Sequence, residues 1–391
     1  MKPRNYRNIL FISLSQFGMN FSFNFVMIII PFLIQKVSPH GTHETLMWTG
    51  LILGSTSGIA AIVSTFWGAA TSYVGPKRLY ITGLFSHAVI ILLMGFVTSL
   101  PLLLVLRILQ GILGGVSTVG LIIVSSSTSR DFGSRDIGFF QNMMTVGQLI
   151  GPPAGALVAS AFGYGGAFLT SSIFIFLTLV FCSLYVVEIP HASEEVRHPE
   201  KGKLNKRVLI GWGLCFTATV QLMFLPGILP NVFEAFQIEH ATALKWAGTI
   251  VMLYTASAMA GTYFLCRLSS RISNDRLIVI AGSAGIVLQS FLGICPDMIS
   301  FAIVRIVQTA MIAAIMPLTI SFLAADLSGK TIGFLNSGRF AGNALGPIIG
   351  TSVFAFAGMN WLCIFISTLS LIALICLMKF SSHINRCDFN S

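Results

Sequence analysis

Four ionisable side chains fall inside long apolar runs of this 391-residue sequence: His87, Arg107, Arg305 and Arg339. All are basic or potentially so, whereas the 13 acidic residues collect in the polar breaks between runs. A guanidinium at the centre of a bilayer costs about 2.5–3.5 kcal/mol on insertion scales, so each must face a polar interior and be partnered. Its planar fork pairs bidentately with carboxylate or phosphate. The chemistry on offer is either recognition of an anionic group or a hydrogen-bonded brace between helices. Arg339 is the leading candidate for contact with a solute, because the internal copy of its segment carries Met144 in the same place. Arg305 is a second. Proton transfer has no buried mid-span carboxylate to use, which leaves His87 in the third run and Glu234 near the end of the seventh. His87 fits a packing role equally, and Glu234 a solvated loop.

Uncharged polar residues are patterned as well. Gln16, Asn20 and Asn24 stand at i, i+4 and i+8 of the first run, which places them on one stripe of a helix. Such a stripe faces a water-filled cavity or bonds to a neighbouring helix. Gln221 lies in the seventh run, and Pro31, Pro226 and Pro230 break the far ends of the first and seventh. Phe21, Phe23, Phe25, Phe224 and Phe233 are available to pad the same region. Asn20, Asn24, Gln221, Arg339 and Arg305 are therefore the candidate solute-binding set.

Other chemistries lack their residues. No HExxH, GxSxG or CxxC sequence and no complete GxxxxGK[ST] phosphate loop occurs (Gly329-Lys330-Thr331 lacks the glycine five residues before it), so no catalytic residue, cofactor or metal is expected, and nothing serves ATP hydrolysis. The seven cysteines fall mostly in apolar segments and read as packing residues. The net charge of +10 does not signal nucleic acid, because the basic residues sit in short loops.

The elements that must position these groups follow from composition. Charged residues make up 9% and hydrophobic ones 55%, against roughly 25% charged in a soluble domain, so lipid is the solvent for most of the chain. A crossing helix needs about 20 mostly apolar residues. Twelve runs qualify, near 8–35, 46–71, 79–98, 101–126, 137–161, 165–187, 208–233, 246–266, 277–295, 298–324, 331–357 and 361–379. The first is too long for a signal peptide and is expected to stay. Residues 188–207 form a charged linker between bundles at 1–187 and 208–391. Eighteen Lys and Arg residues fall on the side of the amino terminus and two, Lys36 and Lys245, on the other. This bias places both termini and the linker in the cytoplasm.

The chain also repeats itself. Gly147-Gln148-Leu149-Ile150-Gly151-Pro152-Pro153-Ala154-Gly155 returns as Gly342-Asn343-Ala344-Leu345-Gly346-Pro347-Ile348-Ile349-Gly350. Arg107-Ile108-Leu109-Gln110 returns as Arg305-Ile306-Val307-Gln308, and Arg78-Leu79 as Arg276-Leu277. Three matches in order at nearly one offset mean duplication of a six-span unit. Parallel repeats around a midplane site are a transporter architecture.

On these residues the chain resembles the major facilitator superfamily, and within it the twelve-helix drug:proton antiporters. Arg107, Gln110, Gly111, Gly114 and Gly115 match the family's RxxQGxxGG pattern, and the resemblance implies proton coupling at Arg107. Gly147, Gly151, Pro152 and Gly155 match its antiporter motif, with a copy at Gly342, Gly346, Pro347 and Gly350. The loop that usually reads GxLADRxGRK keeps Gly68, Gly75, Lys77 and Arg78 but has Ser72 and Tyr73 at the aspartate and arginine positions. The latch that the family builds there must rest on other hydrogen bonds or be looser.

The resemblance implies an all-α membrane protein of two pseudo-symmetric six-helix bundles, monomeric, in the bacterial inner membrane. It implies proton-coupled efflux of a small drug-like or siderophore-like solute by alternating access. The arginines and the missing acid of the first span favour an anionic solute, or uptake of an organic anion or iron chelate instead. Direction is left open between these two.

Overall fold

A computed structural model describes residues 5–128, 132–188, 206–323 and 329–387. Regular structure among them is entirely helical: α1 (Tyr6–Met27), α2 (Ile30–Val37), α3 (Thr42–Ala70), α4 (Pro76–Met94), α5 (Leu100–Ile112), α6 (Val116–Ser127) and α7 (Gly133–Tyr185). Then follow α8 (Lys206–Met223), α9 (Leu229–Ala235), α10 (His240–Leu268), α11 (Asn274–Leu292), α12 (Met298–Ala313), α13 (Ile315–Phe322) and α14 (Gly329–Cys387). Nine helical stretches among the described residues are long and apolar enough to cross a membrane. The expected linker falls largely at 189–205, outside the described residues.

The breaks between helices have local causes. Pro31 has no N–H, so the carbonyl of Met27 loses its i+4 partner where α1 gives way to α2. Pro226 does the same to Leu222 where α8 ends, and the run expected over 208–233 is interrupted there at residues 224–228. α7 and α14, with 53 and 59 residues, would each run about 80–90 Å if straight, far beyond a bilayer. Each is instead divided at a glycine in the left-handed region, Gly163 (φ 72°) and Gly358 (φ 78°). A Cβ would touch nothing within 4 Å at either position, so backbone conformation and not space requires glycine. Both divisions fall in the gaps expected between spans, at 161–165 and 357–361.

The chain forms two compact units. One holds Met1–Pro39, Ser55–Arg197 and Ile238–Met252; the other holds His40–Gly54, His198–Gln237 and Leu253–Ser391. Each unit takes a helix segment from the other half of the sequence. In the first, Gly248 of α10 sits against Pro152, Pro153 and Ala156 of α7. In the second, Gly50 and Gly54 of α3 sit against Ala344, Pro347, Ile348 and Thr351 of α14.

Within each unit the glycine motif is a packing face. A Cβ on Gly147 would meet the Phe17 carbonyl at 2.7 Å, one on Gly151 the Phe21 carbonyl at 2.7 Å, and one on Gly155 the Phe25 backbone. α7 thus lies backbone to backbone on α1, as small-residue faces permit. The copy repeats the arrangement. Gly338 and Gly342 of α14 would carry a Cβ to 2.8 Å of the Trp212 and Phe216 carbonyls of α8, and Gly350 to 2.6 Å of the Phe224 carbonyl. An apolar core of Leu214, Leu277, Ile278, Ile312, Ile315 and Leu374 fills the second unit. Large apolar side chains such as Phe66, Phe96, Phe162 and Phe356 stand exposed, as contact with lipid requires.

Candidate functional site

Arg305 is fully buried in α12. Its Nη1 donates to the Gln221 carbonyl at 2.8 Å and to Gln308 Oε1 at 2.6 Å, and its Nη2 donates to the Leu222 carbonyl at 2.9 Å. These carbonyls form the negative end of the interrupted α8, where a cation is favoured. The rings of Phe224 and Tyr254 each lie 5.0 Å from the guanidinium. Gln308 extends the network by donating from Nε2 to Gln221 Oε1 (2.9 Å) and Gln289 Oε1 (2.8 Å), while Gln221 donates to Ser370 Oγ at 2.7 Å. Gln221, Gln289, Gln308 and Ser370 are all buried, so the network is interior to the unit. Arg305 Nε alone finds no partner among the described residues.

Arg107 in α5 occupies the equivalent place with a different environment. It is also fully buried, and its Nη1 donates to Gln110 Oε1 at 2.6 Å. Its Nη2 reaches Met27 Sδ at 3.4 Å at the end of α1, and the guanidinium lies 5.7 Å from the Phe23 ring. Its backbone carbonyl accepts from Thr56 Oγ1 at 2.9 Å, and a Cβ on Gly111 would meet the Thr56 carbonyl at 2.8 Å, so α5 and α3 pack closely here. The RxxQ spacing, in both copies, is an arginine gripping a glutamine one turn later at the end of a broken helix.

The stripe of the first run divides. Gln16 is fully buried and donates to Ser117 Oγ, with Tyr80 and Ser15 beside it. Asn20 and Asn24 are half-buried, and each donates only to the carbonyl four residues back, at 3.0 and 2.9 Å. Gln221 is buried in the Arg305 network. Phe25, Phe224 and Phe233 are fully buried, and Phe21 and Phe23 half-buried. Arg339 differs from the other two arginines. It stands exposed on α14, touches the Phe340 ring at 5.2 Å, and makes no hydrogen bond or ion pair among the described residues.

Sequence reasoning missed the amides around it. Asn336 and Asn343, one turn either side of Arg339, are half-exposed on the same face. At the matching positions of α7, Gln141 and Gln148 are exposed. Their spacing of seven residues about Met144 and Arg339 was the available signal, obscured because it had to be separated from the glycine face on the same helix.

The loop between α3 and α4 is held within its own unit. Glu188 Oε1 accepts from the Lys77 backbone N–H at 3.1 Å, where a carboxylate complements a helix N-terminus, and Lys77 Nζ donates to the Ser183 carbonyl at 2.9 Å. A Cβ on Gly75 would meet only the Glu188 carboxylate, the movable end of a side chain, so space does not by itself require glycine there. Gly68 has no such close neighbour, and Arg78 is exposed. His87 is buried, with Nδ1 3.2 Å from the Gly83 carbonyl, whereas Glu234 is exposed in α9. Asp136, at the start of α7, is a buried acid that accepts from Thr128 Oγ1 at 2.6 Å. Among the described residues no group of His, Cys, Asp and Glu is arranged to hold a metal ion.

A family model described as Major Facilitator Superfamily matches residues 12–287 and 209–384. The chain is 24% identical over 373 residues to a protein of Rahnella sp. (strain Y9602) named multidrug resistance protein MdtG, covering 92% of this chain and 90% of that one. Its fold is similar to that of a bacterial homologue of the human lysosomal transporter Spinster in an inward-facing, occupied conformation (TM-score 0.78, 14% identity, 96% and 97% covered). It is also similar to the human organic anion transporter MFSD10 (TM-score 0.68, 16% identity, 95% and 99% covered).

Proposed function

This chain belongs to the Major Facilitator Superfamily, and we propose that it is a proton-coupled exporter of small drug-like solutes working by alternating access. The observation that carries the reading is the glycine–proline motif, in sequence and in place. Gly147, Gly151 and Gly155 fix α7 on α1, while the next face of the same helix, at Pro152 and Ala156, receives Gly248. The copy does likewise with α8 and with Gly50 and Gly54. One face is a permanent seam and the other a contact that can part, which is what an alternating gate needs. Similarity over nine-tenths of the chain to proteins named for multidrug resistance supports the direction.

In this reading the twelve spans and both termini take the orientation set by the basic residues, and the protein works as a monomer in the inner membrane. Asn20 and Asn24 offer solute contacts from α1 and Arg339 from α14. Arg107 and Arg305 brace the breaks in the helices that flank the pathway, with Gln110 and Gln221 as their partners. Protons pass through His87 or Glu234. Gly68, Gly75, Lys77, Arg78, Gly111, Gly346 and Pro347 serve the conformational change.

The test is transport in both directions. Everted vesicles given a proton gradient should accumulate a dye that the deletion strain retains, and dissipating the gradient should abolish it. A second reading, uptake of an organic anion, is favoured by one observation, the exposed Arg339 without a neighbouring acid. A deletion strain that leaves the solute in the medium, rather than inside the cell, would select it.

A further inference from the structure

α14 presents three different faces, and their order around the helix identifies the wet one. Gly338, Gly342 and Gly346 pack against α8, and Ala344, Ile348 and Thr351 against α3, on nearly opposite sides. Of the two sides between these seams, one carries Leu345 and Phe356, both strongly exposed and apolar. The other carries Asn336, Arg339 and Asn343, which at 100° per residue fall in a sector of about 60° centred about 140° from Leu345 and Phe356. An unpaired guanidinium and two amides do not face hydrocarbon. The apolar side is therefore the lipid side, and the polar side faces water.

On that wet face Arg339 has its donors open. Asn336 and Asn343 have no side-chain hydrogen bond among the described residues, so their amides are open too. The parallel rings of Trp212 and Phe216 lie on the other side of the seam, where Trp212 donates to Ser337 Oγ at 3.0 Å and packs on Phe334, so they leave the polar face clear. The same face of α7 has Gln141, Met144 and Gln148, with no charge, and α1 contributes only Asn20 and Asn24. Of the two matching faces, on α7 and on α14, only that of α14 carries a fixed charge.

From this juxtaposition we infer that Asn336, Arg339 and Asn343 form a half-site for the oxyanion group of an organic anion, a carboxylate or phosphonate. Arg339 supplies the bidentate fork, and the two asparagine amides donate to the remaining oxygen lone pairs. This specifies the substrate class for the transporter reading above and rests on it.

Two dyes that share one ring scaffold and differ in charge decide the matter: carboxyfluorescein, an anion, and rhodamine 123, a cation. Fluorescence anisotropy on the purified full-length protein in detergent should show binding of carboxyfluorescein. Arg339→Gln should weaken it at least tenfold, Arg339→Lys by only a few-fold, and neither should weaken rhodamine 123. Binding of rhodamine 123 alone, binding of neither dye, or an unchanged Kd for carboxyfluorescein in Arg339→Gln overturns the inference. Should Arg339→Gln not fold, Asn343→Leu carries the test: it must weaken the anion and spare the cation, and equal loss of both is the contrary result. Counterflow in proteoliposomes separates the two levels, because a bound anion that never crosses removes the transporter reading and leaves the anion site standing.

Discussion

The guanidinium of Arg305 donates to the carbonyl of Leu222, the group that Pro226 deprives of its helical partner. A second donor from the same guanidinium takes the Gln221 carbonyl. The arginine therefore acts as a C-terminal cap on α8 supplied by another helix. Three carbonyl acceptors converge on one rigid fork, which a point charge on a flexible stem cannot satisfy together.

Arg305→Met should destabilise the protein strongly, at about 1–3 kcal/mol for each buried acceptor it abandons. Arg305→Lys should recover only part of that, because an ammonium does not span both carbonyls and Gln308. Thermal unfolding of the purified variants in detergent measures both. Equal melting temperatures for Arg305→Lys and the parent protein would show that charge alone, not the fork, is needed.

Gln308 donates to Gln221 and Gln289 at once, so its neighbours are coupled through one amide group. Gln308→Leu and Gln289→Leu should each destabilise, while the double variant should cost less than their sum by about 0.5–3 kcal/mol. Strict additivity would mean that the two glutamines do not share an interaction.

Much of this was legible in the sequence, and the exceptions have physical reasons. The gaps at 161–165 and 357–361 were visible because the apolar runs on either side are each one bilayer long, and the glycine motif was visible because close packing needs small residues at fixed spacing. The capping of α8 was not, since sequence shows Arg305 and Pro226 but not that folding brings them to one place. Glu188 was read as part of the linker, because a carboxylate that binds a helix N-terminus across 111 residues leaves no local trace. Asn336 and Asn343 were hidden by their company: a glycine face and a polar face interleave on one helix, and only the exposure of each residue separates them.

The acid Asp297 caps α12, its Oδ1 accepting from the N–H groups of Ile299 and Ser300 at 2.9 Å each. These bonds, the one from Ser300 foremost, hold its carboxyl below the ordinary aspartate value of 3.8. A depressed carboxylate contributes stability above its unfolded value and loses it as pH falls through the folded one, so the effect belongs to the range below about pH 4. The melting temperature should fall there in the parent protein by more than in Asp297→Asn, which keeps an acceptor but does not titrate. Identical pH profiles for the two proteins would remove the cap from the acid response.

Two glycines that look alike in the sequence should fail in different ways. A Cβ on Gly151 would meet the Phe21 carbonyl at 2.7 Å and the Phe25 nitrogen at 3.0 Å, in the seam between α7 and α1. One on Gly54 would collide with the Ala344 carbonyl and press on Ile348, where α3 meets α14. A seam that never opens contributes to stability in every conformation, whereas a contact that parts during transport contributes in only one. Gly151→Val should therefore lower the melting temperature and the yield of folded protein, since side chains forced into a packed backbone contact typically cost about 1–3 kcal/mol. Gly54→Val should fold with a melting temperature near that of the parent, because the protein can settle in the conformation where α3 and α14 are apart. It should nonetheless transport little, being unable to return. Comparable destabilisation by both substitutions would make the α3–α14 contact a fixed seam, and the gate would have to be sought elsewhere.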